Sequence, residues 1–267
     1  MAEYFFLASI RKAFLASFMA GILLPLLGTF AVLRKNAFLG AGIAHIAFAG
    51  VTFGFLISYS PLLWGFLFTW LATGFIWHGT RKGILEYELG MGIFFSLAMA
   101  LALLFLGLLS SYRADALLYL FGSVIATTTQ DVAVLAFFTI LTIVVFWVFY
   151  KEFFYITFHE ELAEAGGINV DLFSSILLFF TSSAIVASLK AVGALLVFGL
   201  LVIPAASAYQ LTYKFGKMIF ISIVFGLISS FGGLFASLLL DIPSGAAIVI
   251  LSFLIFLISL LFSRKGT

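Results

Sequence analysis

Residues 151–171 read KEFFYITFHEELAEAGGINVD. Five of the chain's eleven acidic residues stand in this stretch: Glu152, Glu160, Glu161, Glu164 and Asp171. Long apolar runs lie on both sides of it. Thr157 and Glu160 have the spacing of a capping box, in which a hydroxyl and a carboxylate satisfy free N–H groups at a helix start. Gly166 and Gly167 then offer the left-handed conformation that ends a helix. The spacing predicts a short polar helix over 158–165, held between two membrane-crossing segments.

Composition fixes what surrounds it. The chain has 267 residues, 64% of them hydrophobic and only 9% charged, and its mean hydropathy is +1.29. A soluble domain is about 25% charged. Apolar runs recur along the whole length, and about 20 residues of helix cross the hydrocarbon core. The fold class is therefore all-α: a polytopic helical membrane protein of about eight or nine transmembrane helices with one cytoplasmic surface helix. The runs are too long and too uniformly apolar for the alternating strands of an outer-membrane barrel. Residues 1–267 read as one transmembrane domain, with no separable soluble part.

The formal charge of +2 comes without a basic tract, which argues against a nucleic-acid partner. The chain has no cysteine, which excludes disulfides, thiolate metal sites and cysteine nucleophiles. Arg11 and Lys12 precede an apolar run that is long enough to cross and has no small-residue cleavage site after it, so it reads as a span rather than a signal peptide.

Nine stretches read as spans: 13–33, 39–57, 62–77, 88–109, 132–150, 172–189, 191–209, 218–240 and 246–262. The count becomes eight or ten if the N-terminal end or the turn at Lys190 is read differently. Residues 2–12 read as an amphipathic lead-in, and Pro25 as a kink in the first span. Residues 110–131 are semi-polar and too short to cross. Asp115 starts a short helix there that Gly122 ends or bends, lying at or dipping into the membrane surface. Lysine and arginine orient the whole. With the N-terminus outside, the cytoplasm receives Arg34, Lys35, Arg81, Lys82, Lys151, Lys214, Lys217, Arg264 and Lys265. Arg11, Lys12, Arg113 and Lys190 fall outside, nine against four of the thirteen cations. The polar helix then faces the cytoplasm.

His45 is the only histidine inside a predicted span. Four-residue spacing puts Ala41, His45 and Ala49 on one helix face and Gly42, Gly50 and Gly54 on the adjoining one. An ionisable group inside the membrane marks a substrate pathway or a bond to a neighbouring helix, and imidazole suits zinc and related metals. Gly50-x-x-x-Gly54 allows another helix to come close. Pro204 lacks an N–H and leaves the carbonyl near Leu200 without its helical partner. We therefore single out Pro204, Gly50 and Gly54 as residues that shape a path. The run 205–208 and the small face of Ser229, Gly233 and Ser237 suit either a subunit interface or packing within the chain. No phosphate loop, HExxH or GxSxG motif occurs, so no catalytic residue is assigned. Asp131 and Asp241 sit at span ends, where helix capping explains them.

Four segments in register resemble one family. Leu33-Arg34, then Ala37-Phe38-Leu39-Gly40 and His45, resemble the second-span signature of the membrane permease subunits of ABC transporters for zinc, manganese or iron uptake. Residues 117–123 (LLYLFGS) resemble its mid-chain motif, and 241–246 (DIPSGA) its last-turn motif. The strongest match is 188–197 (SLKAVGALLV) with Ile203-Pro204-Ala205-Ala206. The resemblance implies a homodimer in the cytoplasmic membrane of a prokaryote, two cytoplasmic ATP-binding cassette subunits and an extracytoplasmic metal-binding protein. No covalent cofactor is implied. The divalent metal ion is cargo, and ATP belongs to the partner.

The resemblance also implies that 157–168 is the coupling helix that docks on the ATPase. Thr157, Glu160, Glu161, Glu164, Gly166 and Gly167 would carry that role. His45 would be a metal ligand, and Glu88, before Gly92-Ile93, matches an acidic position of the family. Two positions depart from the pattern: Ala41 stands where many members have aspartate, and so does His159. Two other readings fit a helical membrane protein. One is an ABC permease for an iron chelate or vitamin, which usually needs a longer chain. The other is a secondary transporter working alone, which should show mid-membrane acidic residues or inverted repeats.

Overall fold

The structure, a computed structural model, describes residues 2–36, 38–109, 113–123 and 126–263. Ala37 of the second-span signature, the cations Arg264 and Lys265, and residues 110–112 and 124–125 of the semi-polar segment lie outside the described residues.

The described chain is helical throughout, in twelve helices. They are α1 (Ala2–Leu33), α2 (Leu39–Leu56), α3 (Pro61–Arg81), α4 (Tyr87–Leu108), α5 (Arg113–Phe121), α6 (Thr129–Val148), α7 (Tyr150–Phe158), α8 (Glu160–Ala165), α9 (Val170–Val192), α10 (Val197–Leu211), α11 (Phe215–Leu240) and α12 (Ser244–Leu261). Hydrocarbon offers no partner for a backbone N–H or C=O, so a helix that closes its own bonds is the local solution.

Seven helices are long and apolar enough to cross a membrane: Ser9–Leu33 of α1, and α2, α4, α6, α9, α11 and α12. Two more run the length of the bundle. α3 has 21 residues but carries Trp64, Trp70, Trp77, His78 and Arg81. α10 has only 15 residues, about 22 Å of helix. Side-chain pairs fix which ends lie together. At one end Arg34 after α1 meets Glu160 of α8, Arg81 of α3 meets Asp171 of α9, and Ser263 after α12 donates to Gln210 of α10. At the other end Lys190 of α9 meets Asp131 of α6. Among the described residues the chain passes between these ends nine times, seven of the passes by helices long and apolar enough to cross a membrane. We call the first end cytoplasmic after the expectation from the positive-inside bias.

α1, α2 and α9 form the centre, with 72%, 78% and 61% of their apolar windows buried. α4, α6 and α12 lie outside, at 22%, 28% and 33%, and turn Leu103, Ile140, Trp147 and Phe253 outward. Small residues let the central helices touch. A Cβ on Gly28 of α1 would overlap the Leu201 carbonyl of α10, and one on Gly226 of α11 would overlap Pro25 of α1. Pro25 does not interrupt α1. Its carbonyl accepts hydroxyl hydrogen bonds from Thr29 (3.0 Å) and from Ser222 of α11 (2.9 Å).

Three expectations change. Residues 2–12 are the start of α1 and not a separate lead-in. The sixth and seventh traversals do not divide at Lys190. α9 continues to Val192, and the chain turns over 193–196, where Gly193 takes φ +96°. The stretch before the polar helix is a helix of its own, α7, which buries Phe153 and Ile156 at i, i+3 spacing.

Candidate functional site

Three places bear on function, and the fold sets them at different depths. The first is α2. His45 is 8% exposed, and its Nδ1 lies 2.9 Å from the Ala41 carbonyl one turn back. A carbonyl only accepts, so Nδ1 carries the hydrogen, and in the neutral ring Nε2 carries the lone pair. The rings of His45 and Phe95 of α4 meet edge to face at 4.7 Å between centroids. Close approach of the two helices comes from Gly42, where a Cβ would lie 2.5 Å from Met91 Cε.

Glu88 is exposed in the first turn of α4, two turns before Phe95 and so about 10 Å along the helix axis from it. The structure therefore does not bring Glu88 to His45. No group of three histidines, aspartates or glutamates stands together among the described residues. Gly50 and Gly54 face the start of α3. A Cβ on either would fall within 2.3 Å of the Trp64 carbonyl or 2.6 Å of Pro61 Cα. Pro204 lies buried inside α10, four residues after the fully buried Leu200.

The second place is the outer end, where three of the motif segments meet. The Ser123 N–H donates to the Lys190 carbonyl (2.9 Å), and the Ala194 N–H donates to that of Tyr119 (2.8 Å). Gly122 and Gly193 hold φ +77° and +96° with their backbones in contact, and a Cβ on Gly245 would sit 2.4 Å from the Val192 carbonyl. Lys190 pairs with Asp131 at 2.8 Å, with side chains 15% and 12% exposed, and lies over the Tyr119 ring. Burial raises the Tyr119 phenol above its ordinary range, and the charges of Asp131 and Asp115 add to this. Asp131 also closes a capping box with Thr128 at the start of α6. Asp241 instead ends α11 in the left-handed region at φ +52°.

The third place is the cytoplasmic end. The polar helix is Glu160–Ala165, shorter than 158–165. Its N-cap is His159, whose side chain makes no cap bond. Thr157 is not the cap: it lies inside α7 and donates to the Phe153 carbonyl one turn back, 2.6 Å away. At the other end Gly167 takes φ +80°, and the Ile168 N–H returns to the Ala163 carbonyl at 2.9 Å. This is the glycine-ended cap expected of Gly166-Gly167. α8 buries only Ala163. Glu161, Glu164 and Leu162, the last 62% exposed, face away from the bundle.

Beside α8 lies a cavity of about 280 Å³ whose wall is mostly apolar, with Phe30, Leu39 and Trp77 on it, and which Arg34, Arg81, Tyr87, Glu160, Asp171 and Ser174 also line. Arg34 binds Glu160 and also donates to Ser174 Oγ at 3.1 Å. The Tyr87 hydroxyl is buried there without a hydrogen-bond partner. Sequence reading missed Arg34 and Arg81 as site residues because a cation at a span end already has a topological explanation. It missed the Lys190–Asp131 pair because the two lie 59 positions apart.

The fold is that of a polytopic helical permease. The sequence matches the profile of the ABC 3 transport family over residues 7–263, and the chain belongs to that family. It is 32% identical over 265 residues to the manganese transport system membrane protein MntC of Listeria innocua, covering 99% of this chain and 93% of that one. It is 31% identical over 252 residues to the high-affinity zinc uptake system membrane protein ZnuB of Haemophilus influenzae, covering 92% and 96%. Among solved structures, PsaBC from Streptococcus pneumoniae in complex with Fab matches with a TM-score of 0.87 at 27% identity, over 99% of this chain and 97% of that one. An inward-facing metal-chelate type ABC transporter matches at TM-score 0.78 and 15% identity, over 94% and 85% of the two chains, which is likeness of fold alone. The chain is thus the membrane permease component of an ABC transport system.

Proposed function

We propose that this chain is the permease subunit of an importer for a divalent metal ion, manganese or zinc. In this reading residues 1–267 form a single permease domain that pairs as a homodimer in the cytoplasmic membrane of a prokaryote. An extracytoplasmic metal-binding protein delivers the ion, and a separate cytoplasmic ATP-binding cassette subunit supplies the energy. The observation that carries the reading is α8. It is a short helix held at the cytoplasmic end with Glu161, Leu162 and Glu164 exposed, in a chain that is otherwise apolar. Such a helix has the shape and the surface of an element that seats in a partner's groove. The names of the manganese and zinc relatives support the cargo.

Residues take the following roles. Glu161 and Glu164 face the ATPase, and Gly166 and Gly167 end the helix that carries them. Glu160 holds it to Arg34 at the end of α1, and Thr157 stands in the last turn of α7 just before it. His45 offers Nε2 to the passing ion. Gly50, Gly54 and Pro204 set the spacing of α2, α3 and α10 around the path, and Glu88 lies at its cytoplasmic end. Closure of the ATPase pair moves α8 and switches access from one side to the other.

The test is metal accumulation in zinc- and manganese-starved cells that express the chain with its ATPase and binding protein, as wild type or His45→Ala. Uptake of one metal, lost in the variant at normal membrane expression, supports transporter class and site together. Uptake indifferent to the change keeps the importer and removes His45 from the path. No uptake of either metal refutes the cargo.

A further inference from the structure

The coupling segment packs against the helices that flank it in sequence, α7 and α9. It is also tied to the end of α1, which lies more than a hundred positions earlier. Phe30 and Arg34 are four residues apart, so they project from one side of the chain at that end. Phe30 is fully packed, with ring centroids 4.9 Å from Phe146 of α6, 5.9 Å from Phe153 of α7 and 5.5 Å from Phe215 of α11. One turn on, Arg34 reaches Glu160, the first residue of α8, and Ser174 in the first turns of α9. Its side chain is 19% exposed, against 54% for Glu160. α7, α8 and α9 are therefore all fixed to one helix end.

α1 is also the helix best placed to pass a displacement on. It runs unbroken for 32 residues. Backbone-close contacts tie its middle to α10 at Gly28 and to α11 at Gly21. A shift of its cytoplasmic end cannot be absorbed by side-chain rotation at those points. The second pair, Arg81 with Asp171, does the same for α3.

We propose that Arg34 is the positioning residue that transmits movement of α8 into the membrane. Its guanidinium holds Glu160 and Ser174 at once, so movement of α8 is biased toward carrying the end of α1 with it. The inference rests on the reading of α8 as the ATPase-docking helix. A pair this exposed contributes little to stability, so its loss leaves folding intact and acts on the link between hydrolysis and transport.

The experiment uses the permease with its ATPase subunit, reconstituted in proteoliposomes with the metal-binding protein. It reads manganese or zinc moved per ATP hydrolysed. Arg34→Ala should still co-purify with the ATPase and support hydrolysis, while the transport-to-hydrolysis ratio falls by about two- to fivefold. Glu160→Ala should lower the ratio too. The double variant should be no worse than the lower single, because both substitutions cut one link. An unchanged ratio in Arg34→Ala, or losses that multiply in the double variant, overturns the proposal. Arg34→Lys carries the test if the alanine variant does not fold. It keeps the charge but has no fork to bridge two acceptors, so its ratio should also fall, and a wild-type ratio there is equally fatal. The docking reading is tested apart, by Glu161→Lys with Glu164→Lys. Unchanged co-purification of the ATPase with that variant removes docking, whatever Arg34 does.

Discussion

Replacing Gly193 with alanine tests whether the outer segments 117–123 and 188–197 touch as closely as the structure shows. Two costs add at this position. The backbone sits at φ +96°, ψ 143°, a region open almost only to glycine, and strain of this kind costs about 1 to 3 kcal/mol. A Cβ would also lie 2.4 Å from the Phe121 carbonyl carbon and 2.5 Å from the Gly122 nitrogen. Both are backbone atoms, so no rotamer change relieves the overlap, and overpacking of this sort costs about another 1 to 3 kcal/mol. The expected loss is about 2 to 6 kcal/mol.

Two controls separate the terms. Gly167 has φ +80° with nothing within 4 Å of its Cβ position, so Gly167→Ala should show strain alone, about 1 to 2 kcal/mol. Gly92 lies inside α4 with open space around it, so Gly92→Ala should gain about 0.5 to 1 kcal/mol. Unfolding by titrated SDS in mixed micelles gives the three differences. The reasoning fails if Gly193→Ala is no less stable than Gly167→Ala, because then nothing stands where Phe121 and Gly122 are drawn.

Tyr87→Phe removes a buried hydroxyl that has no partner. It should be neutral or stabilising by about 1 kcal/mol in the same unfolding assay, with transport unchanged. Tyr119 keeps its proton in the fold beyond the ordinary tyrosine range, first because it is buried and then because Asp131 and Asp115 are near. The unfolded chain loses that proton first, so stability should fall as pH rises past about 10. Tyr119→Phe should blunt the fall, and equal alkaline sensitivity in an unfolding titration would count against the burial. The natural chain has no cysteine, so Glu160→Cys and Pro243→Cys can be labelled singly with a membrane-impermeant maleimide. They should report opposite faces in intact cells, and labelling from the same face would refute the nine traversals.

Hydropathy made the traversals legible, because lipid demands long apolar helices and little else resembles them. It could not place the break between α9 and α10. Lys190 is the visible cue, yet it lies inside the helix with its ammonium returned to Asp131, and the turn is made by Gly193, one of the chain's 24 glycines. The polar helix was legible as polar, and its glycine cap was read correctly. Its start was not. A threonine three residues before a glutamate fits a capping box and fits equally a hydroxyl bonded back inside a preceding helix. Phe153 and Ile156, which build that preceding helix, vanish into the apolar run beside them.

The site was legible in proportion to how local it is. His45 stands out alone in its span, and its bond to Ala41 lies within one turn. One of the contacts that fix α8 to the bundle is not local, and charge alone does not show it. Glu160 and Glu161 look alike in sequence as acidic neighbours on an exposed helix. In the structure one is bound to Arg34, 126 positions away, while the other faces the aqueous side with Glu164. The two should therefore separate on mutation. Reversing Glu161 should weaken ATPase docking, whereas neutralising Glu160 should leave the surface that meets the partner in place and cut what lies behind it. In the proposed reading a permease needs both a face to receive the stroke and a tether to carry it inward, and these adjacent carboxylates are proposed to divide those tasks.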